Sequence, residues 1–138
     1  MRAAVYKGNK KFAIEEMADP TPGPGQVVVE VAFCAICGTD VHAFLYEAAP
    51  PGTVMGHEYC GTIAQVGPGV TAWREGDRAV GGGGLPPPGK APAGHDDPRY
   101  NYRTMGFDVR KQRAYAEYVV HEEWEPLPIP EGVTDEMA

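Results

Sequence analysis

Residues 26–36, with the sequence QVVVEVAFCAI, constrain the fold more than any other part of the chain. The run is nearly continuous in β-branched and other apolar side chains, which favour extended backbone and suit a strand that is covered on both faces. We therefore expect a central β-strand at this position. The strand ends beside Cys37, so a rigid scaffold would hold that side chain in place.

The rest of the chain predicts further strands separated by turns. A hairpin is expected from residues 3–6 and 12–16, and later strands from 58–66, from a short run ending at 80, and from 114–120. Segments rich in Gly and Pro interrupt these runs at 19–25, 49–52 and 67–70. His121 is expected on the surface, and residues 134–138 suit the first turn of a helix with Thr134 as its cap.

Composition limits the partners that such a domain could bind. The chain has 138 residues, of which 43% are hydrophobic and 22% charged, in keeping with one globular domain. Its 12 basic and 19 acidic residues give a net charge of −7, which would repel a nucleic-acid backbone. No run approaches the ~20 apolar residues of a membrane helix, and the first residues lack a signal-peptide core. We therefore expect a cytoplasmic protein without nucleic-acid or membrane partners.

Residues 81–113 form the least regular part of the sequence. They begin with GGGGLPPPG, and no helix or strand pattern follows for some distance. A loop of about thirty residues in a compact domain is usually functional or disordered. Its aromatic residues and Met105 suggest a lid over a substrate cleft or a contact within a homo-oligomer.

Three side chains in two short segments suit a metal site. Cys37 can give a thiolate, and His57 and Glu58 can add an imidazole nitrogen and a carboxylate oxygen, a mixed donor set that zinc accepts. Three protein ligands leave one position for water or substrate, as in catalytic zinc sites. Glu58 can join His57 only if the backbone bends between them, because adjacent side chains on a regular strand point to opposite faces.

The residues after Cys37 predict a short helix, roughly 39–47, with Thr39 or Asp40 as its N-cap. Thr39 and His42 would lie three positions apart on one face, where they could pass a proton between them. Asp40 lies about 100° around the helix from that pair. It could instead reach the second ring nitrogen of His57 and fix its tautomer.

The three cysteines, Cys34, Cys37 and Cys60, cannot form a complete disulfide framework and favour a reducing compartment. Cys34 and Cys37 have CxxC spacing, but a redox pair would be expected to open a helix within a βαβ unit. The neighbouring sequence is rich in β patterns instead. Cys34 and Cys60 are therefore interpreted as packing residues.

Four segments, at 37–42, 56–61, 66–70 and 76–80, resemble the signature blocks of the zinc-dependent medium-chain alcohol dehydrogenases. The resemblance covers essentially the whole chain, in order. It implies that residues 1–138 are the catalytic domain of that family, a GroES-like, partly open β-barrel with short helices and the long Gly- and Pro-rich loop. The sequence has no strand, Gly-rich turn and helix of the kind a Rossmann cofactor domain requires, so that domain is expected to be absent from this chain.

The resemblance also implies an activity, the oxidation of a small alcohol to an aldehyde or ketone. Zinc would be held by Cys37, His57 and Glu58, although the matching Glu is a ligand in only some relatives. Thr39 and His42 would contact the cofactor and carry the released proton to solvent. NAD(P) would act in the complete enzyme, with the Rossmann domain in cis or in trans, and would not bind tightly to this chain alone. A second, structural zinc is not expected, because no cysteine follows Cys60.

Two alternatives stay open at this point. The chain could be a stand-alone metal-binding or small-molecule-binding module without redox activity. It could also have an assembly role like that of the co-chaperonin whose fold it is expected to share. An assembly role gives no reason for Cys37, His57 and Glu58 to occur together, so we consider it the weakest of the three hypotheses.

Overall fold

The computed structural model describes residues 1–81 and 114–138, so the expectations for the long Gly- and Pro-rich loop lie outside the described residues, except at Gly81. In the described residues the regular elements follow one another as β1 (Arg2–Gly8), β2 (Lys11–Glu16), β3 (Gln26–Ala35), α1 (Gly38–Leu45), β4 (Glu58–Val66), β5 (Arg78–Val80), β6 (Tyr118–Glu122) and β7 (Leu127–Pro128). The domain is thus mainly β, as predicted.

The strands pair antiparallel and form two sheets. β1 and β2 make a two-stranded sheet, and the remaining strands form a five-stranded sheet in the order β6-β3-β4-β5-β7. β3 lies between β4 and β6, which confirms its predicted central position. These open sheets agree with the expected partly open, GroES-like barrel.

Only the first half of β3 is buried on both faces, as its sequence predicts for the whole strand. Val27, Val28 and Val29 are fully buried, whereas Phe33 is 50% exposed. β6 pairs with β3 only as far as Glu30, and one more bond joins the Val31 N–H to the Glu117 carbonyl at 2.9 Å. Within the described ranges the second half of β3 is therefore paired with β4 alone.

The segment just before β6 crosses from one sheet to the other. The Ala4 N–H donates to the Tyr115 carbonyl at 2.7 Å, and Ala3 forms a bridge with Ala116. The predicted strand at 114–120 is therefore displaced: β6 begins at Tyr118 and runs on to Glu122. The crossing holds the two sheets together beside the end of β3.

The surface position predicted for His121 is wrong. Its side chain is only 12% exposed. The ring stacks on Tyr59 with centroids 5.3 Å apart, and its Nδ1 lies 3.2 Å from a carboxylate oxygen of Glu125. Although β6 is the edge strand of the five-stranded sheet, the Tyr59 ring and the Glu125 side chain cover His121.

Helix α1 is fixed by a small apolar cluster. Ala43 is buried together with Tyr6, Ala49 and Met55. Tyr6 comes from β1, and Met55 lies two residues before His57, so the cluster joins the helix to the loop that enters β4. Burial of this apolar surface holds the residues after Cys37 close to the residues around His57.

The end of the chain returns to the five-stranded sheet. Arg78 on β5 forms an ion pair with Asp135 and donates to the Val133 carbonyl at 2.8 Å. The N–H groups of Met137 and Ala138 both donate to the Thr134 carbonyl, which gives the single helical turn that the sequence predicted. In the described residues, no helix has the length and apolar character needed to cross a membrane.

Candidate metal centre

The structure brings the three predicted metal ligands together. The Cys37 Sγ, a ring nitrogen of His57 and a carboxylate oxygen of Glu58 all lie within 4.8 Å of one another. Strand pairing explains this proximity, since Ala35 at the end of β3 pairs with Glu58 at the start of β4. The loop that follows β3 and the loop that precedes β4 therefore meet at one end of the sheet.

A bend at Gly56 allows two adjacent residues to face the same point. Gly56 has a φ of +90°, in the left-handed region that favours glycine, and β4 begins only at Glu58. His57 thus lies outside the regular strand, where side chains need not alternate between faces. The structure supplies the bend that a shared role for His57 and Glu58 requires.

Asp40 connects the two loops of the site. Its carboxylate is buried, with Oδ2 accepting the Cys37 N–H at 3.0 Å and Oδ1 accepting the Gly56 N–H at 3.3 Å. The same Oδ1 lies 3.7 Å from the His57 Nδ1, which is longer than a hydrogen bond. Asp40 therefore faces the His57 Nδ1 as predicted, but it holds the site together mainly through its hydrogen bonds to the backbone N–H groups of Cys37 and Gly56.

The capping of α1 differs from the prediction. The helix begins at Gly38, directly after Cys37 as expected, but its N-cap is Cys37 and neither Thr39 nor Asp40. The reason is that Asp40, at the third helical position, turns its carboxylate back to the Cys37 N–H. This arrangement ties the candidate thiolate ligand to the first turn of the helix.

Thr39 and His42 have different surroundings. The Thr39 Oγ1 lies 3.2 Å from the His57 Nε2, so the hydroxyl adjoins the cluster. His42 is exposed, with its ring centroid 5.9 Å from that of Tyr46. In residues 1–81 and 114–138 no hydrogen bond joins Thr39 to His42. The structure therefore brings Thr39 to the site and leaves His42 about one helical turn away, at the surface.

The three donor atoms suit zinc. A cysteine sulfur, an imidazole nitrogen and a carboxylate oxygen are the atom types that bind zinc in proteins, and three of them leave the fourth tetrahedral position open. Cys37 and His57 are partly buried and Glu58 is exposed, so water and small molecules can reach the cluster. A structural zinc site would instead be closed by four protein ligands.

The other cysteines differ from Cys37 in their surroundings. Burial, followed by the negative charges of Asp40 and Glu58, raises the pKa of the Cys34 thiol to about 12. Such a thiol is a poor nucleophile, which argues against a redox role for the CxxC spacing. Cys60 is buried and its thiol lies 3.0 Å from the Asp135 carbonyl, consistent with packing.

Sequence reasoning missed Tyr115, which packs against the loop before β4. A Cβ atom placed on Gly56 would lie 2.5 Å from the Tyr115 Cδ1, so the ring covers that glycine directly. Burial, followed by the negative charge of Asp40, raises the pKa of the Tyr115 hydroxyl. The pattern at 114–120 predicts only a strand, because nothing local shows that an aromatic side chain will contact a remote loop.

Groove size does not identify the site. A groove of about 650 Å³ runs between the two-stranded sheet and the second half of β3, and none of the three candidate ligands lines it. A smaller cleft of about 580 Å³ is lined by Glu58 together with Cys34, Tyr59 and Val80. The clustered donor atoms therefore identify the candidate site better than cavity volume does.

Fold and cluster together define a class of protein: an antiparallel β domain that presents a sulfur, a nitrogen and an oxygen donor at one end of its main sheet. The profile of the alcohol dehydrogenase GroES-like domain matches residues 23–131, and the chain belongs to this family.

Individual relatives agree with this assignment. L-threonine 3-dehydrogenase of Xanthomonas oryzae pv. oryzae (strain MAFF 311018) is 33% identical over 150 aligned residues, which cover 100% of this chain and 42% of that protein. The crystal structure of 2R,3R-butanediol dehydrogenase from Bacillus subtilis matches with a TM-score of 0.75 and 28% identity, over 99% of this chain and 42% of its own. A short chain alcohol dehydrogenase from Escherichia coli CFT073, complexed with NADH, matches with a TM-score of 0.76 and 29% identity, over 99% and 40%. The chain thus spans less than half the length of these relatives.

Proposed function

We propose that this chain is the catalytic domain of a zinc-dependent alcohol dehydrogenase, which oxidises an alcohol to an aldehyde or ketone with NAD(P). One observation carries the proposal: in a chain of this family, donor atoms of Cys37, His57 and Glu58 lie within 4.8 Å of one another. We assign these three residues as the zinc ligands. His57 would bind through Nε2, because its Nδ1 faces Asp40.

Zinc held there would supply a Lewis acid, which lowers the pKa of an alcohol hydroxyl. NAD(P), when bound by the complete enzyme, would accept the hydride from the substrate carbon, and the proton of the hydroxyl would need a route to solvent. Thr39, whose Oγ1 lies 3.2 Å from the His57 Nε2, would take that proton. The exposed His42 would release it to solvent. An imidazole suits this step because its ordinary pKa lies near neutral pH.

The relatives suggest a substrate class. Threonine and 2,3-butanediol, which their names specify, are both small secondary alcohols with a polar group on the next carbon. We propose a substrate of this kind for the present chain. The exposed position of Glu58 leaves room at the cluster for such a small polar molecule.

The cofactor would be bound largely by a second domain. The chain covers 42% of the threonine dehydrogenase, and a neighbour of similar fold carries NADH. We propose that a Rossmann domain, in cis or in trans, completes the enzyme. The three unpaired cysteines further support a reducing, cytoplasmic setting.

Metal analysis of the purified chain tests the ligand assignment. We expect one zinc ion per chain, and loss of stoichiometric zinc in Cys37→Ala and His57→Ala. Cys60→Ala is the matched control and should keep its zinc, because that thiol contacts the Asp135 carbonyl instead of the cluster. Stoichiometric zinc in Cys37→Ala would show that the assignment is wrong.

An activity assay tests the reaction. Combined with the nucleotide-binding part of a relative, the zinc-loaded chain should reduce NAD or NADP when threonine or butanediol is added, and Cys37→Ala should not. Zinc binding without turnover of any such alcohol would instead favour a metal-binding or small-molecule-binding module without redox activity.

A further inference from the structure

We infer that Tyr115 is a positioning residue for the metal site, an inference that rests on the proposed zinc ligands. Its ring covers Gly56 and thereby fixes the direction in which the next residue, His57, presents its imidazole. Tyr115 touches neither metal nor substrate in this role. The contact comes from a segment that lies more than fifty residues further along the chain.

The ring leaves Gly56 no space on one side. A Cβ atom on Gly56 would lie 2.5 Å from Cδ1 and 2.8 Å from Cε1 of Tyr115, and 2.9 Å from the Cys34 sulfur. Real Cβ contacts are essentially never this short. The loop before β4 therefore rests directly on the aromatic ring and cannot shift towards it.

Backbone hydrogen bonds hold the same loop in register with Tyr115. The Tyr115 N–H donates to the Met55 carbonyl at 2.9 Å, and the Ala114 N–H donates to the Gly56 carbonyl at 3.2 Å. The Tyr115 carbonyl in turn accepts the Ala4 N–H of β1 at 2.7 Å. The two residues before His57 are thus attached to a segment that β1 itself anchors.

Gly56 is consequently held from three directions. Its N–H donates to Asp40 at 3.3 Å, its carbonyl accepts from Ala114, and its open face lies against the Tyr115 ring. A metal site requires ligand distances within about 0.2 Å of ideal values, which a loop free to move cannot supply. Removing the ring would let the loop shift and would lower metal affinity.

The ring, rather than the hydroxyl, performs this role. The Tyr115 hydroxyl is buried and has no hydrogen-bond partner of acceptable geometry in the described ranges, although the Asp40 carboxylate lies near enough to raise its pKa. Tyr115→Phe therefore keeps every contact with Gly56, whereas Tyr115→Leu and Tyr115→Ala remove the ring. Ile63→Ala is a control for general loss of packing, because Ile63 is fully buried in the main core and lies outside both site loops.

The test is a titration of the metal-free chain with Zn²⁺ in competition with a chelating indicator, and with Co²⁺ followed by its visible absorption. Tyr115→Phe should match the unaltered chain in affinity and Co²⁺ spectrum. Tyr115→Leu and Tyr115→Ala should bind about 10- to 100-fold more weakly, as loss of an outer support does in other metal sites, and should shift the Co²⁺ bands. Ile63→Ala should lower the thermal midpoint and leave the affinity unchanged.

The outcomes separate this inference from the function on which it rests. If the unaltered chain binds Zn²⁺ and Tyr115→Leu binds it equally tightly, the role of Tyr115 is refuted and the metal site stands. Losses in Ile63→Ala or Tyr115→Phe as large as that in Tyr115→Leu would also refute it. If the unaltered chain binds no metal, the proposed function fails, and the role of Tyr115 fails with it. Tyr115→Leu retains much of the apolar volume, so the comparison holds if Tyr115→Ala does not fold.

Discussion

Replacing Asp40 by asparagine tests how the two loops of the site are joined. One carboxylate oxygen accepts the Cys37 N–H at 3.0 Å and the other accepts the Gly56 N–H at 3.3 Å, in a side chain that is only 3% exposed. An asparagine amide carries one oxygen and one NH₂ group. One of the two backbone N–H groups would therefore face another donor and lose its partner.

The expected loss follows from these two contacts. A hydrogen bond to a charged group contributes about 1.5–3 kcal/mol, and leaving a buried donor unsatisfied costs about 1–3 kcal/mol. We therefore expect Asp40→Asn to lower the free energy of unfolding by about 3 kcal/mol. For a domain of this size, that loss corresponds to a fall of roughly 10 °C in the thermal midpoint.

Urea unfolding of the metal-free chain, followed by circular dichroism, measures this loss. Asp77→Asn is the matched control, since the Asp77 carboxylate also accepts a backbone N–H, that of Arg74 at 2.8 Å, but lies exposed in a turn. The control should cost less than about 1 kcal/mol. Zn²⁺ affinity should also fall in Asp40→Asn, by about 10- to 100-fold. Equal losses of stability in the two variants would refute the reasoning.

Further changes test other parts of the fold and the proton route. Gly61→Ala would place a Cβ atom 2.0 Å from a backbone oxygen of β3, so the free energy of unfolding should fall by about 3 kcal/mol or more. A Cβ atom at Gly38 would have no other atom within 4 Å. Gly38→Ala should therefore leave the free energy of unfolding unchanged or raise it by about 0.5–1 kcal/mol. Hydrogen bonds from Arg2 hold the pKa of Glu117 below its ordinary value of 4.5 in the folded chain. The ionised Glu117 carboxylate therefore stabilises the fold above pH 4.5, and this stabilisation is lost as the pH falls through the folded pKa. The stability difference between Glu117→Gln and the unaltered chain should therefore disappear in acid, and a difference that persists there would contradict this origin. His42→Gln should slow turnover of the complete enzyme chiefly at low pH, where solvent accepts the proton least readily, whereas equal slowing at every pH would argue against a proton route through His42.

The features that could be predicted from the sequence are those that a local pattern of residues determines. The β-branched run at 26–36 predicted a central strand, and β3 has that position. Because Cys37 directly follows this run, the same pattern also predicted that Cys37 lies at the end of the strand. The types of donor atom, together with the resemblance to the alcohol dehydrogenases, then indicated that His57 and Glu58 belong with Cys37, and the structure brings all three within 4.8 Å of one another.

Features that depend on contacts between distant segments could not be predicted in this way. β6 begins at Tyr118 because the residues before it turn away to β1, and no local pattern records that crossing. His121 is covered for a related reason, since its ring stacks on Tyr59, a residue far earlier in the chain. The contact of Tyr115 with Gly56 likewise joins segments far apart in the chain, so only the folded structure reveals it.

The central claim is that one sulfur and one imidazole from two distant loops bind the same zinc ion. X-ray absorption at the zinc edge of the loaded chain measures this most directly. We expect one sulfur neighbour at about 2.3 Å and nitrogen or oxygen neighbours at about 2.0–2.2 Å, with the sulfur lost in Cys37→Ser and the imidazole signal lost in His57→Ala. A zinc environment without sulfur, or one that neither substitution changes, would contradict it.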